Sequence, residues 1–100
     1  MFNQIALVGV LKSLPTAFSK DGLKYSHIDV EVERSYRDSN SQPIYDTFTI
    51  YLWRGISDVI TEKYAVGTTV GIKGRLEKEE DRCIIMAERV SIIHTEEKIP

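Results

Sequence analysis

The sequence predicts an all-β domain, a small closed barrel of five strands with one short helix between the third strand and the fourth. Three observations predict it: segments that alternate apolar with polar residues, one segment with helical apolar spacing, and no apolar surplus for a second layer. With 100 residues, 42% of them hydrophobic, the chain suits one domain around a single core.

The first strand is read over residues 3–11, NQIALVGVL, where Gly9 marks a bulge or a close backbone approach. The stretch KSLPTAFSKDG is polar, with turn signals at Pro15 and Asp21-Gly22. The second strand spans residues 24–36, with Ile28, Val30 and Val32 inward and His27, Asp29, Glu31 and Glu33 outward. A polar loop, RDSNSQP, follows and is expected to be mobile. The third strand, residues 45–53, places Phe48, Ile50 and Leu52 in the core and Tyr45, Thr47, Thr49, Tyr51 and Trp53 outside. In ISDVITEKYAVGT, Ser57 reads as a helix N-cap, Asp58 suits the first turn, and Ile56, Val59, Ile60 and Tyr64 recur at helical spacing. Tyr64 is expected to anchor the helix on the barrel, and Gly67 to stop it. The fourth strand is residues 69–76, an acidic turn covers 77–82, and the fifth strand is residues 83–93, changing phase near Glu88-Arg89 as at a bulge. Three strands, a helix and two strands is the order of the five-stranded OB-fold, a Greek-key barrel. An SH3-like barrel gives that helix no natural place.

Composition excludes several function classes. One cysteine, Cys83, excludes an internal disulfide and a cysteine-based zinc site, and it is expected to be a small buried residue. His27 and His94 stand in no metal-ligand spacing, and there is no Gly-rich phosphate loop or nucleophile elbow, so neither enzyme chemistry nor a cofactor is expected. No stretch approaches the ~18 apolar residues of a membrane span. The N-terminus reads as a strand rather than a signal peptide, which fits a reducing cytoplasm. The net charge of −2 disfavours nucleic acid as a partner without forbidding it, because a local basic track decides.

The aromatic residues carry the functional reading. Phe48 is structural, whereas Phe18, Tyr36, Tyr51 and Trp53 fall on outer faces or in loops. Tyr51 and Trp53 either cover the core under a loop, or form a dimer interface, or make a stacking platform for nucleic-acid bases. Arg34, Arg37 and Arg54 lie beside these aromatics in sequence and, with Lys73 and Arg75, are the candidate phosphate contacts.

Three segments in order, NQIALVGVL, YDTFTIYLWR and VGTTVGIKGRL, resemble the bacterial single-stranded DNA-binding protein (SSB) family over residues 3–93. The resemblance implies an OB-fold, sequence-independent binding of single-stranded DNA, no catalysis, and a homodimer or homotetramer paired partly through residues 4–10 of the first strand. It places Trp53 and Tyr36 at stacking aromatics, Arg54 at the basic residue after the Trp, and Phe18 near a loop aromatic. Tyr51 occupies a position that is usually aliphatic in the family.

The departures are an acidic outer second strand, Thr47 where many members carry an aromatic, and a short acidic turn in place of a long basic hairpin. The expectation is therefore a tail-less accessory member acting in replication, recombination or repair, with a short C-terminal tail over residues 96–100. The alternative is an OB-fold protein-interaction module or primosome-type accessory subunit with weak or no DNA binding.

Overall fold

Strand alternation closes this chain into a barrel with an aliphatic interior. A computed structural model describes residues 1–95. It runs β1 (Ile5–Leu11), β2 (Thr16–Lys20), β3 (Leu23–Arg37), β4 (Pro43–Leu52), α1 (Arg54–Lys63), β5 (Thr69–Glu79) and β6 (Arg82–His94). The sheet order is β1-β5-β6-β4-β3-β2, and a further β1–β3 pairing closes the ring. β4 and β6 are parallel, through Ile50↔Ile85 and Tyr51↔Met86, and the other pairs are antiparallel. This is the expected five-stranded OB barrel, with β2 added on its flank.

The inward set of each strand fills the ring. Leu11, Ile28, Val30, Ile50, Leu52 and Val70 are fully buried, and α1 adds Ile60. Burying an aliphatic side chain of this size contributes about 1.5–3 kcal/mol. Phe48 and Ile56 pack partly buried against this cluster. The end of β1 is tied to the α1–β5 connection, because Leu11 N–H donates to Thr68 O at 2.8 Å and Gly67 N–H to Leu11 O at 2.9 Å.

Gly9 lies where β1 turns from β5 toward β3. A Cβ there would strike the Glu31 carbonyl oxygen and sit 2.8 Å from Val30 Cγ1 and 2.9 Å from Val32 Cγ2. The expected close approach is therefore real. The expected bulge in the last strand is real too: Lys73 pairs with Arg89 and Gly74 with Ala87, which leaves Glu88 as the extra residue.

Several expectations need correction. The stretch read as polar contains a strand, β2, which pairs with β3 from Thr16↔His27 to Lys20↔Leu23. Asp21 and Gly22 form its two-residue turn at φ 52 and 78, the left-handed region that such a hairpin demands. The loop after β3 contains a turn, in which Asp38 Oδ1 accepts from the N–H groups of Asn40 and Gln42 at 2.8 and 2.9 Å. The helix begins earlier than expected, with Trp53 as N-cap and no side-chain cap, so Ser57 and Asp58 lie inside it. Leu52 must remain in the core, and the chain turns into the helix directly after it. Tyr64 is the half-buried C-cap, Val59 points outward, and Gly67 turns the chain three residues beyond the cap at φ 104. The acidic turn is shorter than read, since pairing continues to Glu79↔Arg82. Cys83 is exposed on that ribbon, beyond the reach of the core.

Gly9→Ala should destabilise the protein by about 1–3 kcal/mol, because the added methyl forces β1 away from β3. A lowered urea midpoint at constant m-value is the expected result, and an unchanged midpoint would show that the closure can loosen without cost.

Candidate nucleic-acid interface

Cross-strand register aligns the outward residues into rows. One row crosses five strands: Thr16 of β2 pairs with His27 of β3, His27 with Tyr51 of β4, Tyr51 with Met86 of β6, and Met86 with Arg75 of β5. Beside it, Phe18 pairs with Tyr25, and Ser26↔Leu52 brings Trp53 to the same end of the face. On the other side follow Asp29↔Thr49, Glu31↔Thr47 and Glu33↔Tyr45. The outer face is thus aromatic at the helix end and acidic toward the β3–β4 arm.

Phe18 organises the aromatic end. Its ring meets Tyr51 edge-on at 4.9 Å, stacks on Tyr25 at 5.9 Å and lies 5.6 Å from His27. Tyr51 is consequently only 8% exposed. It points outward as the alternation requires, yet it is a covered residue and not the open platform expected from sequence. Trp53 is the open aromatic of the helix end, 42% exposed, with its indole over Gly55 at the start of α1. Arg54 is the first residue of that helix.

The expected basic residues do not form one track. Arg34 and Tyr36 lie out on the arm, on the side of Asp46 and away from Tyr45 and Thr47. Arg34 Nε and Nη2 donate to Asp46 Oδ2 and Oδ1 at 2.8 and 2.9 Å, and Nη1 donates to Tyr36 Oη at 2.8 Å. These hydrogen bonds raise the Arg34 guanidinium further above its ordinary value. They also hold the Asp46 carboxyl below the usual carboxylate range. Arg37 donates through Nη1 to Ser41 O at 3.0 Å. Arg75 Nε donates to Glu77 Oε2 at 2.6 Å, and its Nη1 lies 3.6 Å from Glu88. Lys73 is exposed between Ala6 and Arg89. Of the expected set, Phe18, Tyr51, Trp53 and Arg75 share the outer face, while Arg34, Tyr36 and Arg37 belong to the arm.

Tyr25 and Met86 are members of this face that sequence reasoning did not single out, and His27 was read as outward without a role. The Asp21-Gly22 turn, read as a hairpin, would have paired Phe18 with Tyr25 and exposed the cluster. The outward carboxylates Asp29, Glu31 and Glu33 lie on the same face as Tyr51, and Thr49 Oγ1 donates to Asp29 Oδ1 at 2.9 Å. They therefore repel phosphate from the arm end. Among the described residues no cluster of three or more His, Cys, Asp or Glu could hold a metal ion, and no helix is long and apolar enough to cross a membrane.

Because the folded value of Asp46 is depressed, its pair with Arg34 contributes fully above the ordinary carboxylate range and is lost as pH falls through the depressed value. Both partners are exposed, so the contribution to stability is small and the carboxyl itself is the better reporter. An NMR titration should find Asp46 below the ordinary ~3.9, with Arg34→Ala restoring it. An ordinary value in the unmutated protein would show that the ion pair does not persist in solution.

With this geometry in place, comparison with known proteins identifies the family. The single-strand binding protein family profile matches residues 2–83. Single-stranded DNA-binding protein B of Bacillus subtilis (strain 168) is 30% identical over 78 residues, covering 77% of this chain and 69% of that one. A deletion mutant of the single-stranded DNA binding protein from Thermus aquaticus superposes with TM-score 0.67 at 18% identity. That match covers 93% of this chain and 51% of the other, so this chain spans about half its length. The Plasmodium falciparum SSB in complex with ssDNA superposes with TM-score 0.68 at 19% identity over 96% of each chain. These structures share the barrel, and since the family match runs from before β1 into the first residues of β6, the chain belongs to the single-strand binding protein family.

Proposed function

We propose that this protein binds single-stranded DNA without sequence preference across its outer face, from Trp53 past the Phe18–Tyr25 pair toward Arg75. The observation that carries the reading is the exposed indole of Trp53, the residue after β4, two positions along the chain from Tyr51 in the row that crosses five strands. A base stacks on any such ring whatever its identity. Family membership supports the same reading.

The charge pattern sets the route. Asp29, Glu31 and Glu33 turn the strand away from the arm, so it crosses the sheet and does not follow β3 and β4. Lys73 and Arg75 of β5, with Arg54 at the start of α1, are the phosphate contacts on this route. Arg34, Tyr36 and Arg37 stand off this route, with Arg34 held by Asp46, Tyr36 by Arg34 and Arg37 by Ser41. Tyr51 acts as support: it holds Phe18 in place, and Phe18 presents the edge of the platform.

Residues 1–95 form the OB-fold binding domain. The expected tail, residues 96–100, lies outside the described residues. The protomers pair partly through β1, where Val8 is 59% exposed and stands opposite Gly71, with Ile93 57% exposed beside it. The product is a homodimer or homotetramer with an accessory role in replication, recombination or repair in the cytoplasm.

Trp53→Ala should weaken binding to an oligo-dT strand by roughly 1–3 kcal/mol while the protein remains folded. For the unmutated protein, log affinity should fall against log salt with a slope of about −0.7 per phosphate contacted, near −2 for three contacts. Affinity indifferent to both the substitution and salt would sink the DNA reading and favour a protein partner on this face.

A further inference from the structure

Arg75 is the cation of the row that crosses five strands, and two carboxylates of this chain hold it. Its Nε donates to Glu77 Oε2 at 2.6 Å, and its Nη1 lies 3.6 Å from Glu88 Oε2. Glu77 follows two residues on along the same face of β5, and Glu88 is the extra residue of the bulge in β6. A guanidinium grips phosphate best with two parallel N–H groups. It has two such edges, Nε with Nη2 and Nη1 with Nη2. In Arg75 each edge already has one donor facing a carboxylate. One cation against two carboxylates also leaves the group negative, so it offers a polyanion no net attraction while it stays intact. Arg34 is held differently, because Asp46 takes both donors of one edge at 2.8 and 2.9 Å. The hold on Arg75 uses single donors between partly exposed side chains, and such a hold is weak enough to exchange.

We propose that Glu77 and Glu88 compete with DNA for Arg75: they occupy it in the free protein, and a phosphate of the bound strand must displace them. The inference rests on the DNA-binding reading above and deepens it, from which side chain meets phosphate to what sets the strength of that contact. The exchange replaces carboxylate oxygen by phosphate oxygen, so no donor of Arg75 is left without an acceptor. Phosphate can take both donors of an edge where Glu77 took one, which favours the exchange. The released Glu77 carboxylate turns to water, as its exposure allows. Arg75 consequently adds less affinity than an unheld arginine would add at the same place.

The test is a double-mutant cycle on the full chain, with affinity for oligo-dT measured at low salt, where exposed charges are least screened. Glu77→Gln keeps the shape of the side chain and removes its charge. It should bind oligo-dT about two- to five-fold more tightly than the unmutated protein, the range expected for releasing one exposed ion pair. Glu88→Gln, which acts over the longer distance, should gain less. The gain from Glu77→Gln should shrink when Arg75→Gln is already present, because the carboxylate then has no cation to withhold. Arg75→Ala supplies the second background should Arg75→Gln fail to fold. An equal gain with and without Arg75 would mean that Glu77 acts as a general repulsive charge, and it overturns the inference. No gain from Glu77→Gln overturns it too. Both of those results leave the DNA reading standing, since the unmutated protein still binds. Failure of the unmutated protein to bind oligo-dT overturns both.

Discussion

The closure of the barrel at Gly9 is the constraint on which the rest of the structure depends. β1 pairs with β5 from Ile5 to Val10 and with β3 at Val10 and Leu11, so one strand serves two neighbours that diverge. It can do so only because nothing projects from Gly9 toward the Glu31 carbonyl. Once β1 is seated there, Leu11 enters the core, and its backbone fixes the turn that delivers β5. β5 then carries β6 to the far side, where β6 meets β4 in parallel. Without that parallel contact, Tyr51 would have no Met86 beside it and the outer row would stop at β4.

The same alternation that fills the core composes the outer face, and the two faces follow different physics. Inside, shape and apolar area decide, so any aliphatic set of suitable volume would serve. Outside, the sequence of side chains along β3 matters: Tyr25 and His27 continue the aromatic end, and Asp29, Glu31 and Glu33 begin an acidic one. A polyanion is repelled at the acidic end of this face, and the aromatic end carries no carboxylate row of that kind. The net negative charge of the chain is therefore compatible with a nucleic-acid interface, because the interface uses only part of the surface.

Much of this was legible in the sequence for a simple reason: period-two patterns in β1, β3 and β4 are strong, and Ile28, Val30, Ile50 and Leu52 fall inside as read. The bulge at Glu88 and the close approach at Gly9 were also legible, since a phase change and a strand glycine each have few causes. Short-range signals overridden by tertiary needs were not. Ser57 is a good N-cap by residue type, but keeping Leu52 in the core starts the helix at Arg54. The five residues of β2 carry too weak a pattern to stand against Pro15 and their polar neighbours, although Asp21-Gly22 was the cue. With β2 missed, the cover that Phe18 places over Tyr51 could not be foreseen. The engagement of Arg34 by Asp46 and of Arg75 by Glu77 was hidden for another reason, because such pairs depend on cross-strand register and side-chain rotamers that no linear pattern records.

The central claim is that a strand of DNA lies against the outer face at Trp53. Trp53 is the only tryptophan of the chain, so its fluorescence reports on that site alone. The most direct measurement is its emission during titration with oligo-dT, at low salt and again at high salt. Quenching that saturates, and that needs more DNA as salt rises, is the predicted result. Emission unchanged at micromolar protein in low salt, with the protein folded, would contradict it.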